Sequence, residues 1–155
     1  MKADIVRDMA GRPVDCSLQV WRLNTAGGPL VLEWDKLGRL PKAIRDAARM
    51  YARNRIPIWA PPSIQGLFYM YRRLAECPCF GEFDGVVTMR AFEELRQDRR
   101  AGSAELTRYR NWYRWAATLG LSGFDKRVAR ILRAISIGAK TSLFRSSCGT
   151  RSGPT

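Results

Sequence analysis

The sequence predicts a mainly α-helical fold, a bundle of four to five helices preceded by a short β-hairpin. Three observations predict it. From Leu40 onward apolar residues recur at three- and four-residue spacings, the period of a helix with one buried face. Ser, Thr, Pro and Gly punctuate those stretches where helices start and stop. Before that, two short β-prone runs flank a Gly-containing loop. With 155 residues the chain is long enough for one domain with a real core.

The elements follow in order. Residues 1–15 are polar and mixed and read as loosely ordered. Leu18, Val20 and Trp21-Arg22-Leu23 form the first β-prone run, Asn24 to Pro29 the turn, and Leu30 to Trp34 the second run. Leu40, Ile44, Ala47, Ala48 and Tyr51 then mark a helix with Pro41 in its first turn, ended by Pro57 and the Pro61-Pro62 pair. Arg45, Arg49 and Arg53 form a stripe on another face of it. Ser63 is placed to cap a second helix whose apolar face is Ile64, Leu67, Phe68, Tyr71, Leu74 and Ala75. Thr88 caps a third, through about Arg100, with Met89, Phe92 and Leu95 inward. Ser103 caps a fourth, with Leu106, Tyr109, Tyr113, Ala116 and Ala117 buried and Trp112 widening the stripe; Gly120 ends it. A fifth, about Asp125 to Ile137, buries Phe124, Val128, Ile131, Leu132 and Ile135, with Lys126, Arg127, Arg130 and Arg133 on its other side. The chain thus divides into an N-terminal extension (1–35), a helical domain (36–137) and a flexible tail rich in Ser, Thr and Gly (138–155).

The charge is less ordinary than the pattern. Lys and Arg number 27 against 14 acids, a formal net charge of +13. Such an excess points to a polyanionic partner, nucleic acid foremost. Guanidinium groups suit phosphate because they are planar, permanently charged and fork-shaped. The chain has no histidine, which removes the commonest acid–base catalyst and metal ligand. Cys77-Pro78-Cys79 is the only close cysteine pair, and Cys16 and Cys148 lie at opposite ends of the chain, so no zinc site and no cofactor are expected. No phosphate loop of the Walker type is present. The N-terminus lacks an apolar stretch after its charges, and no segment has the length to span a bilayer. A cytoplasmic protein with reduced thiols is the expectation, with no membrane partner.

Three stretches carry a family resemblance. Ser63 to Leu74, Asp84 to Leu95, and Ser103 to Ala116 followed by Leu119-Gly120-Leu121 are similar, in order and spacing, to the helices of the N-terminal, core-binding region of tyrosine recombinases, the phage-integrase family. The region from Trp34 to Ile137 resembles that module. The resemblance implies a non-enzymatic bundle that grips one side of double-stranded DNA and meets other integrase protomers. The family's catalytic domain, with its Arg, Lys, His-x-x-Arg and Tyr nucleophile, has no counterpart here. None of Tyr51, Tyr69, Tyr71, Tyr109 or Tyr113 is read as a nucleophile. A truncated integrase gene, with its last residues translated out of frame, is the expectation this raises.

The phosphate-contacting candidates lie off the buried faces. Thr107, Arg110 and Arg114 are three or four apart on the fourth helix, with Arg108 beside them. Arg72 and Arg73 come next, and Arg99 and Arg100 sit at an interhelix junction where backbone donors can help hold a phosphate. Residues 99–114 hold five arginines against one acid, Glu105. The alternative for any one of them is a solvated arginine or an ion pair. The stripe Arg45, Arg49, Arg53 is either a further DNA contact or the wet face of a helix. Trp112 and Tyr113 are read as core, and Trp115, off the main stripe, as the exception. Two other functions remain open on composition: a non-specific basic RNA-binding protein, and a helical fragment that docks another protein.

Overall fold

The computed structural model describes residues 2–137. The predicted tail, 138–155, lies outside the described residues. Among the described residues, four short strands lead into five α-helices, the mainly α architecture that the sequence predicts.

Residues 2–15 hold a hairpin, in place of the loose order expected of 1–15. Strand β1 (Ile5–Arg7) pairs antiparallel with β2 (Pro13–Asp15), placing Val6 opposite Val14 with both buried. The turn between them is built by Asp8, whose carboxylate accepts the backbone amides of Ala10 and Arg12, each at 2.9 Å. Gly11 supplies the positive φ of +80°. Three-residue strands with one inward residue each carry too little alternation to stand out in the sequence.

The second hairpin is the predicted one. Strand β3 (Val20–Thr25) pairs with β4 (Gly28–Glu33), Trp21 opposite Leu32 and Leu23 opposite Leu30. Trp21, Leu23 and Leu32 face inward, the alternation expected of a half-buried ribbon. Leu18 precedes the strand and is exposed. Trp34 leaves the ladder and opens a 3-10 turn (Trp34–Leu37) that drives Trp34 and Leu37 into the core.

Helix α1 (Lys42–Arg55) buries Ile44, Ala47, Ala48, Tyr51 and Ala52. Helix α2 (Pro61–Ala75) begins two residues before Ser63, with Ala60 at the cap and Pro61 in the first turn. Proline is tolerated there because the first helical amides have no intrahelical acceptor. Helix α3 (Met89–Gln97) is capped by Thr88, whose hydroxyl accepts the Arg90 amide. Helix α4 (Ser103–Thr118) is capped by Gly102, one residue before the predicted Ser103. Helix α5 (Lys126–Ala134) is capped by Asp125, which accepts the Arg127 amide at 2.7 Å. It is shorter than predicted. Leu132 is buried, whereas Phe124, Val128 and Ile135 are partly buried and Ile131 is half exposed.

An aromatic chain joins these elements. Trp34 meets Phe68 edge-on at 5.2 Å, Tyr71 meets Trp112 at 5.1 Å, and Trp112 meets Phe124 at 5.2 Å. Such contacts add to the apolar area they bury and tie the hairpin, α2, α4 and the approach to α5 into one core. Trp115 is no exception: it is partly buried, with its ring 5.0 Å from that of Tyr51.

The arginine stripe of α1 holds the N-terminal strands. Arg49 donates to the carbonyls of Cys16 (2.8 Å) and Leu18 (3.0 Å), with its guanidinium over the rings of Trp21 and Trp34. Arg53 makes a bidentate pair with Asp4, both bonds 2.7 Å. Arg45 donates to the Leu40 carbonyl at 3.0 Å. Each of these side chains is thus engaged within the protein: Arg45 and Arg49 are partly buried, while Arg53 keeps to the wet face, paired with Asp4.

Candidate nucleic-acid interface

Helix α4 presents three surfaces. Its buried stripe, Leu106, Tyr109, Trp112, Tyr113, Ala116 and Ala117, fixes its rotation against the core. That rotation puts Ala104, Thr107, Asn111 and Thr118 on the side turned to solvent, a line of small, uncharged residues. Arginines flank the line on both sides.

On one flank lies α5. It runs back antiparallel to α4: Arg110 Nη1 donates to the Ile135 carbonyl at 3.0 Å at one end, while Thr118 and Lys126 line one groove at the other. Arg110 therefore positions α5, satisfying a carbonyl just past the helix end. Between the helices is a shallow groove of about 300 Å³, lined by Arg114 from α4 and by Lys126, Arg130 and Arg133 from α5, with Ala117, Thr118 and Ala129 between them. No carboxylate lines it, and none of its four cations has an acidic partner among the described residues. Four unpaired like charges around one groove repel each other, and an anion in the groove relieves that repulsion.

On the other flank lies α2. Arg108 lies across Gly66: a Cβ there would stand 2.9 Å from Arg108 Nη1 and 3.0 Å from Cζ. The missing side chain leaves room for the guanidinium to lie against the helix backbone. Arg72 is exposed on the same helix, and Arg99 is exposed in the α3–α4 junction.

The predicted site residues therefore divide. Arg110 and Arg114 share the α5 flank with Thr107 on the solvent line beside them, and Arg72, Arg99, Arg108 and Arg114 have no acidic partner among the described residues. Arg73 and Arg100 take the ion-pair alternative. Arg73 grips Glu105 through Nε (2.6 Å) and Nη2 (2.8 Å), with the carboxylate side chain only 7% exposed. Arg100 is held by Glu76 at 2.7 Å and by Asp98 at 2.8 Å. That guanidinium draws the Asp98 carboxyl down to about 2. Lys126, Arg130 and Arg133 are absent from the predicted contacts. Their signal is the i, i+4, i+7 row on α5; what the sequence lacks is the antiparallel return that sets them opposite Arg114.

The nucleophile-type groups are quiet. Burial pushes the thiols of Cys16 and Cys79 up to about 12 and that of Cys77 to about 11, which leaves them protonated near neutrality. Burial likewise raises the phenols of Tyr51, Tyr71, Tyr109 and Tyr113. Tyr113 is a structural strut: its hydroxyl donates to the Val87 carbonyl and accepts the Asp125 amide at 3.0 Å. Among the described residues, no group of three or more Cys, Asp or Glu is placed to hold a metal ion, and no helix is long and apolar enough to cross a membrane.

No protein-family model matches this chain, and no curated protein or solved structure matches it. The likeness to recombinase helices rests on the three sequence stretches alone.

Proposed function

We propose that this chain is a duplex-DNA-binding module of the site-specific integrase type, gripping DNA rather than cutting it. The observation that carries the reading is the α4–α5 groove, where Arg114, Lys126, Arg130 and Arg133 gather with no carboxylate among them. Cations that pair with nothing internal are available to neutralise phosphates, and the release of condensed counterions then drives binding. The solvent line of α4 fits the same reading. Sixteen residues make a rod of about 24 Å, and a major groove admits one helix. Thr107 and Asn111 would face base edges, Asn111 suiting adenine, which offers a donor and an acceptor together. Arg108 would hold the phosphates of one strand, and Arg114 with the α5 row those of the other. Partner protomers of an integrase assembly belong to the same proposal.

The test is fluorescence anisotropy of a labelled duplex at several salt concentrations, with structured RNA as competitor. Duplex-preferring binding with a log–log salt slope of several units is expected. Arg114→Gln with Arg130→Gln should lower that slope by about 0.9 for each phosphate no longer neutralised. No binding at low salt, or a slope indifferent to the double variant, overturns the reading. Preference for RNA at equal salt moves it to an RNA-binding protein.

A further inference from the structure

The geometry points to a second nucleic-acid site, on the α2 side of α4, where Tyr69 and Arg72 take a single unstacked nucleobase and its phosphate. The inference builds on the nucleic-acid reading but uses none of the groove residues.

Tyr69 is the first observation. Every other aromatic residue among the described ones is buried or partly buried, whereas Tyr69 is 41% exposed. The apolar face of α2 is already complete with Ile64, Leu67, Phe68, Tyr71 and Leu74, so core packing does not call for a ring at position 69. An aromatic face in solvent is a stacking platform, and any base can stack on it.

The second observation is what surrounds it. Tyr69 borders a cleft of about 390 Å³ whose other walls are Arg72, Arg73, Glu76 and Arg100. That volume suits one nucleotide. Two of its walls are held by ion pairs, Arg73 by Glu105 and Arg100 by Glu76 and Asp98. In each of these two arginines Nη1 takes no part in those bonds and remains a donor. Arg72 is the wall cation without an acidic partner among the described residues, free to fork onto a phosphate. Glu76 binds Arg100 through Oε1 alone, so Oε2 can accept an exocyclic amino group, as on cytosine. Arg73 and Arg100 are matched by Glu105, Glu76 and Asp98, so the preference of the cleft for a phosphate rests on Arg72.

A paired base cannot use this cleft, because its faces are covered by its neighbours in the stack. The occupant is therefore an unpaired base: an overhang, a frayed end or a displaced strand beside the gripped duplex.

The experiment compares a blunt duplex with the same duplex carrying a short single-stranded overhang, using the full chain. The overhang should tighten binding about ten-fold, the scale of one base–aromatic stack. Tyr69→Ala should erase that gain and leave blunt-duplex affinity unchanged; Tyr69→Phe should keep it. Arg72→Gln should reduce the gain and its salt dependence. The Arg114→Gln, Arg130→Gln protein should weaken both probes while preserving their ratio. No gain from the overhang, or a gain that survives Tyr69→Ala, overturns the site. If blunt duplex fails to bind while a short single strand binds in a Tyr69-dependent way, the duplex reading falls and this one stands.

Discussion

Arg72 and Arg73 are adjacent on α2, and one helical step of about 100° separates what they do. Arg73 turns toward α4 and closes on Glu105, whose carboxylate is buried. Arg72 turns to solvent and forms no ion pair among the described residues. Taking a carboxylate out of water is costly unless its charge is matched, so the pair is worth most when one half is removed. Arg73→Ala should destabilise the fold by about 3 kcal/mol, because Glu105 is left buried and unmatched. Arg73→Ala with Glu105→Leu should recover most of that. Chemical denaturation of the three proteins checks it, and equal stability of the single and double variants would contradict it. Arg72→Ala, by contrast, should leave stability within about 0.5 kcal/mol, as surface changes do, and act only on ligand binding.

At the scale of elements, the α4–α5 hairpin depends on the short link between its helices. Gly120 and Gly123 both take positive φ there, +70° and +96°. At Gly123 the backbone also passes close to α1, where an added Cβ would lie 2.8 Å from Ile44 Cδ1, a side chain with no exposure. Its carbonyl accepts the Val87 amide at 2.8 Å, fixing the link to the start of α3. Gly123→Ala therefore meets two penalties, the left-handed backbone and the overpacked isoleucine, together about 2–3 kcal/mol. A lowered melting temperature should come with weaker duplex binding, since the link sets α5 beside Arg114. A protein that melts like the parent would show that the link can shift freely. The same hairpin shows what a sequence displays and what it conceals. Leu106, Tyr109, Tyr113 and Ala116 repeat at helical spacing along the helix, so α4 and its buried face were legible. The β1–β2 hairpin was not, because Val6 and Val14 are single inward residues among polar ones. Nor were the ion pairs: Glu105 is 32 residues from Arg73, and Asp4 is 49 from Arg53. Only the assembled fold determines which arginines find acids and which remain for a ligand.

Across the whole molecule, a net charge of +13 acts on the free and bound states in opposite directions. In the free protein the unpaired cations of the α4–α5 groove and of the α2 flank repel one another. Salt shortens the range of that repulsion, the Debye length falling to about 10 Å at 0.1 M. The ion pairs that oppose it, such as Arg53 with Asp4 and Arg100 with Glu76, are exposed; salt screens them too, but each contributes little. Adding sodium chloride should therefore raise the melting temperature of the free protein. In the proposed duplex complex the phosphates would neutralise the groove, and salt would instead displace the duplex. With duplex at about 100 times its dissociation constant, binding adds about 2.7 kcal/mol to stability at low salt, and that increment should shrink as salt rises. Thermal melts over a salt series, with and without duplex, should give two curves that converge from opposite sides. If salt lowers the melting temperature of the free protein instead, the internal ion pairs outweigh the repulsion, and the groove cations are not under the mutual strain on which the proposed binding rests.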